Sequence, residues 1–163
     1  MPNRCAPIFH ACVLSLYIYH MSTTQQLTAW CRKNSVPFFL SVCASDELPA
    51  HLPQQAFVIV NYQPSTMPGD HWVAFRKTGL HFDWFDSYGL EPDAEDLLVG
   101  DHAHFKQYLR AQGMRTLTVN RIDLQQLQTH VCGHYCCWFG KIDRKSTRLN
   151  SSHVSESRMP SSA

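Results

Sequence analysis

Three residues at the ends of predicted elements have the types and placement for nucleophilic chemistry: His71, Asp86 and Cys132. His71 opens an apolar strand, His-Trp-Val-Ala-Phe-Arg, directly after a loop containing Pro68 and Gly69. Asp86 closes the stretch that reads as the hairpin partner of that strand. In an antiparallel pair the start of one strand lies near the end of the next. The two side chains are therefore expected to be neighbours, and a carboxylate beside an imidazole fixes its tautomer and raises its basicity. The ordinary alternative is a hairpin-end ion pair of little energetic weight. Cys132 follows a polar, glutamine-rich loop and begins an apolar helix, with Gly133 next to it. At a helix N-terminus the dipole and the unpaired N–H groups favour a thiolate, and the same N–H groups can stabilise a tetrahedral oxyanion. Gly133 lets a substrate backbone approach closely. Glutamines just before the cysteine are further donors, and histidine, carboxylate and thiol together form a nucleophilic set. The commoner fate of cysteine is a buried core thiol, and that reading is adopted for Cys136 and Cys137.

The elements that must position these groups are legible from periodicity. Ser22 or Thr23 caps a helix running through Gln25 to about Asn34, with Leu27, Trp30 and Cys31 on one face and Pro37 ending it. Phe38 to Val42 is a short apolar run. Phe57 to Tyr62 reads as a buried strand, His71 to Arg76 as the next, and Leu80 to Phe85 as its hairpin partner across Lys77-Thr78-Gly79. A helix is expected from Asp101 to Gln112, with Gly113 as its stop, then a strand from Thr116 to Asn120. Leu124 to His130 is a loop, and Cys132 to Ile142 a helix. The order is helix, three strands, helix, strand, helix. That predicts an α+β fold, a small, largely antiparallel sheet packed with helices, without internal repeats.

Composition bounds the partners. The chain has 163 residues, 14 Lys plus Arg, 13 Asp plus Glu and a formal charge of +1, an even balance with no footprint for nucleic acid or an anionic membrane. No apolar run is long enough to cross a bilayer. Seven cysteines, an odd number at irregular spacing, argue for free thiols in a reducing compartment rather than a disulfide scaffold. Residues 1–20 imitate a signal peptide only loosely, and Met21 directly precedes the first helix signal, so 1–20 reads as an upstream extension. After Ile142 apolar periodicity stops and serine takes over. Residues 143–163 read as a disordered polar tail, and Asp143 to His153 looks like the translation of a sequencing-library adapter. The expected domain is therefore 21–142, cut short at its C-terminus. Setting aside Arg144, Lys145, Arg148, Arg158, Asp143 and Glu156 leaves 10 basic and 11 acidic residues, a net charge of −1, and weakens the case for nucleic acid further.

Three linked motifs carry a resemblance: Gly-Asp-His-Trp-Val-Ala-Phe at 69–75, Phe-Asp-Ser-Tyr-Gly at 85–89, and Gln125 followed by Cys-Gly-His-Tyr-Cys at 132–136. In this order they resemble the adenovirus-type cysteine proteases, in particular the version carried by Maverick/Polinton-like elements, within the wider clan of SUMO-protease-like enzymes. The likeness spans about Met21 to Ile142. It implies a cysteine endopeptidase working through a Cys-His-Asp triad; no cofactor and no metal are expected for this chain. His71 would be the general base, Asp86 the acid that orients it and Cys132 the nucleophile on a buried helix. Gln125 sits at the oxyanion-hole position of the adenoviral enzymes, Gln126 at that of the SUMO-protease relatives. Trp72 resembles an aromatic that packs beside the catalytic groups, and a core tryptophan of the hairpin is a compatible reading. The implied substrates are polypeptide capsid or core precursors, and the implied location is intracellular, in cytoplasm, nucleus or virion.

The pattern also departs from the family. Met114 to Asp123 holds no cysteine, so the residue through which adenoviral enzymes attach a peptide activator has no counterpart and such an activator is not supported, and the closing helices after the cysteine-bearing helix are missing. Three alternatives stand beside the protease. The closest is a SUMO- or ubiquitin-type deconjugating enzyme. A zinc module could draw on His130, Cys132, His134, Cys136 and Cys137, although no clean Cys-x-x-Cys pair is present. The third is an inactive remnant of a mobile element.

Overall fold

A computed structural model describes residues 23–94, 104–125 and 130–142. The predicted extension at 1–20, the tail at 143–163 and Gln126 lie outside these residues.

Helix α1 (Thr24–Lys33) begins at a capping box: Thr23 Oγ1 accepts from the Gln26 amide at 3.2 Å, and Gln26 Oε1 accepts from the Thr23 amide at 3.3 Å. Its last turn carries Arg32 and Lys33 against the negative dipole end, and Leu27 and Cys31 are fully buried. Five strands follow: β1 (Phe39–Ala44), β2 (Gln55–Asn61), β3 (Trp72–Thr78), β4 (His81–Phe85) and, after helix α2 (Phe105–Ala111), β5 (Thr116–Val119). Helix α3 (Cys132–Lys141) closes the described chain. The α+β class is as expected from the sequence.

The strands form one sheet in sequence order, β1 to β5. The expectation of a largely antiparallel sheet needs correction. β2–β3 and β3–β4 are antiparallel, but β1–β2 and β4–β5 are parallel. The reason is connectivity. Between β3 and β4 a tight turn reverses the chain, whereas the α2-containing crossover between β4 and β5 lets the chain re-enter in the same direction; β1–β2 and β2–β3 are joined by longer loops. β1, a short apolar run in the sequence, is one of the two edge strands, and its Leu40 is exposed. The β3–β4 hairpin is tighter than read, with Thr78 paired to His81 and Gly79 in the left-handed region (φ +63°).

The sheet is covered on both faces, which explains why β2 reads as a continuous apolar run rather than an alternating one. Val58, Val60, Val73, Phe75, Phe82 and Trp84 pack under Phe105 and Leu109 of α2. On the other face Phe57, Ile59, Trp72, Ala74 and Phe85 meet Leu27 and Cys31 of α1 and Cys132, Cys136, Cys137 and Phe139 of α3. α3 is therefore laid across the middle of the sheet. Arg76 of β3 secures its far end, donating through Nη2 to the carbonyls of Phe139 (2.6 Å) and Ile142 (3.1 Å).

Gly140 sets how closely α3 approaches. A Cβ there would stand 2.3 Å from Cε1 of the fully buried Phe57 ring. Gly140→Ala is expected to destabilise the protein, because overpacking of about 1–3 kcal/mol outweighs a helix-propensity gain of about 1 kcal/mol. Chemical denaturation checks this; a variant more stable than the parent contradicts the packing described.

Candidate active site

His71 precedes β3, and its carbonyl accepts from the Tyr62 amide at 2.9 Å, which ties it to the end of β2. Its ring lies between two tyrosines, with centroid separations of 6.2 Å to Tyr62 and 5.0 Å to Tyr88. Asp86 follows the last residue of β4 and is completely buried. The β3–β4 register, which ends at Ala74 opposite Phe85, brings it to His71: Nε2 and Asp86 Oδ1 are 3.0 Å apart. The same Oδ1 accepts from the Tyr88 amide at 2.8 Å, so the turn after β4 holds the carboxylate against the ring. The Asp86 carbonyl accepts from Asn120 Nδ2 at 2.9 Å, which links the turn to the end of β5.

Cys132 is the first residue of α3 and lies in the apolar cluster with Trp72, Phe85 and Cys136. The residue before it, Val131, has no polar side chain to cap the helix. Among the described residues the first-turn N–H groups have no side-chain cap beside the thiol, an arrangement that suits an anion. His71 hydrogen-bonds both Asp86 and Cys132, and with Nε2 on Asp86, Nδ1 is the ring nitrogen for the sulfur. Burial disfavours the charged imidazole, but these hydrogen bonds and the negative charge of both partners outweigh it. The His71 pKa is pushed up to about 10 from the ordinary 6.5. The ring is thereby favoured in its protonated form, between Asp86 and Cys132.

The other thiols of α3 face different surroundings. Cys136 Sγ donates to the Trp72 carbonyl at 3.3 Å, and burial drives its pKa well up. Cys137 Sγ lies 3.8 Å from Cys31 Sγ; their hydrogen bond raises the Cys137 pKa, with burial adding to it, and lowers that of Cys31. Both α3 thiols are fully buried core groups, as read from the sequence. Their commitments also bear on the zinc alternative, since among the described residues no three His, Cys, Asp or Glu side chains are grouped to hold a metal ion.

Gln125 is buried beside the same turn. Ser87 Oγ donates to Gln125 Oε1 at 2.7 Å, and Gln125 Nε2 donates to Tyr88 Oη at 3.2 Å. Trp72 packs in the cluster that contains Cys132, so its readings as core tryptophan and as neighbour of the site coincide. Gly133 is buried as the second residue of α3. Sequence reasoning missed the parts played by Ser87, Tyr88, Tyr62 and Asn120. Ser87 and Tyr88 were visible as neighbours of Asp86, but nothing in their spacing announces a partner 38 and 37 residues away. Among the described residues no helix is long and apolar enough to cross a membrane.

No protein-family model matches the chain, and a search of curated proteins finds no match either. What the site does is therefore argued from its geometry.

Proposed function

We propose that this protein is a cysteine endopeptidase of adenovirus-protease type that cleaves polypeptide precursors of a virus-like or mobile element. The observation that carries the reading is one imidazole joined to a buried carboxylate at 3.0 Å and hydrogen-bonded to a thiol at the first position of a helix. The order of the three residues along the chain and the motifs around them add the resemblance. Gln125, held against the site turn by Ser87 and Tyr88, is the glutamine to which this reading gives the oxyanion.

The steps follow from the groups. The Cys132 thiolate, paired with the His71 imidazolium, attacks the scissile carbonyl carbon and the carbonyl electrons move to oxygen. The uncapped N–H groups of α3 and the Gln125 amide receive that oxyanion. The His71 imidazolium gives its proton to the leaving amine, and the C–N bond breaks to an acyl-enzyme. Neutral His71 then takes a proton from water, whose oxygen attacks the thioester and releases the acid product, leaving the Cys132 thiolate beside the His71 imidazolium. Asp86 keeps the ring oriented through both halves.

Iodoacetamide tests this with a quenched-fluorescent peptide library as substrate. One equivalent is expected to label Cys132 ahead of Cys31, Cys43, Cys136 and Cys137, and turnover should disappear in proportion. Turnover that survives complete labelling of Cys132 would exclude the thiol as nucleophile.

A further inference from the structure

We infer that Ser87 is a positioning residue that sets the Gln125 amide as an oxyanion donor, an inference that rests on the peptidase reading. Ser87 is fully buried and directs its polar groups to one short segment. Its carbonyl accepts from the amides of Leu124 (2.8 Å) and Gln125 (3.1 Å), and its hydroxyl donates to Gln125 Oε1 at 2.7 Å. Main chain and side chain of the glutamine are held by the same residue. With Oε1 taken by Ser87, the amide nitrogen, which carries two hydrogens, is turned toward Tyr88 Oη at 3.2 Å. That is the side of the catalytic imidazole, because the Tyr88 ring lies 5.0 Å from the His71 ring. Ser87 also follows Asp86 directly, and the next amide, that of Tyr88, donates to the Asp86 carboxylate. Asp86, Ser87 and Tyr88 thus form one turn that orients the base on one side and the oxyanion donor on the other. A buried amide whose rotation is fixed before reaction stabilises developing charge without reorganising.

Two probes separate this role from mere structure. p-Nitrophenyl acetate acetylates the thiol: a C–S bond forms, an oxyanion develops, and p-nitrophenolate leaves with its bonding electrons. Iodoacetamide alkylates the same sulfur by displacing iodide, with no oxyanion. The readout is the ratio of the Cys132-dependent acetylation rate to the alkylation rate in the full chain. Gln125→Ala is expected to lower that ratio by about 100-fold, the scale of losing one oxyanion donor, and Ser87→Ala, which misplaces the donor without removing it, by about tenfold. In the Gln125→Ala background, Ser87→Ala should cost nothing further. Tyr88→Phe keeps the ring on His71 and removes only the hydroxyl; it should lower the ratio about threefold, and it carries the test if Ser87→Ala melts early. A ratio unchanged in both variants, or a loss of the same size with and without Gln125, overturns the inference while leaving the nucleophile in place. Probes that react no faster with the native protein than with Cys132→Ala overturn the peptidase reading itself, and this inference with it.

Discussion

Cys132→Ala is expected to lower peptide turnover by roughly 10⁴-fold or more and to leave the protein folded. In the proposed mechanism the thiol forms the acyl intermediate, whereas the proposed oxyanion donors survive its loss. The residual rate should reflect those donors alone. Adding His71→Ala to Cys132→Ala should then cost almost nothing, because a base without its nucleophile has no step to assist; groups that act as a unit are strongly non-additive. The structural cost is small by comparison. Cys132 is one member of a cluster that also holds Leu27, Phe57, Ile59 and Phe139, and losing one sulfur atom there is worth about 1 kcal/mol. Steady-state kinetics on an extended peptide, with thermal melting as the control, decides the matter. A variant that keeps more than a tenth of the parent rate removes Cys132 from the mechanism.

The candidate site was legible because its members sit where elements change. His71 and Asp86 flank a hairpin whose strands are marked by Val73, Phe75, Phe82 and Trp84, and antiparallel geometry alone brings the ends together. Cys132 was legible as the point where a polar loop turns into an apolar helix, and α3 starts at that residue. Parallel pairing was not legible. It depends on where a crossover returns the chain, and Phe38 to Val42 carried no alternation strong enough to mark β1 as a strand. The bond from Ser87 to Gln125 and the contact between the Cys31 and Cys137 sulfurs were equally hidden. Each joins residues far apart in the chain through side-chain directions that only packing decides.

The two faces of the sheet divide the work. Phe105 and Leu109 of α2 pack on one face against Val58, Phe75 and Trp84, and of the residues around the site Tyr62 alone belongs to that cluster. The opposite face carries α3, and its fit on Phe57 through Gly140 fixes the axis along which Cys132 is presented. Arg76 at the far end and Trp72 near the start come from the same strand, so β3 both leads out of His71 and supports the helix that bears the thiol. A shift of α3 would therefore separate sulfur and imidazole directly, which is why packing at Gly140 matters for chemistry as well as stability.

Asp86→Asn is expected to abolish most turnover at pH 8 and to flatten the alkaline stability profile. Folded His71 titrates at about 10 against an ordinary 6.5. Between those values the folded state holds a proton that the unfolded state has lost, so stability falls as pH rises. The contribution is fully present below 6.5 and is gone once pH passes about 10. Its size is on the order of a few kcal/mol. Asparagine keeps an oxygen for the His71 ring and the Tyr88 amide but removes the charge that, with the hydrogen bond, offsets burial. The His71 pKa must then move down. At pH 8 the ring loses its proton, the thiol loses its cationic partner, and the leaving amine loses its acid. General acid–base assistance is worth about 10²–10⁴-fold, and a loss of that order is expected at pH 8. The deficit should shrink toward pH 5.5, where even an unassisted imidazole is protonated. Urea denaturation of parent and variant from pH 6 to 10, beside pH–rate profiles, measures both effects. Parallel stability curves across that window would show that the Asp86 charge does not hold the His71 proton.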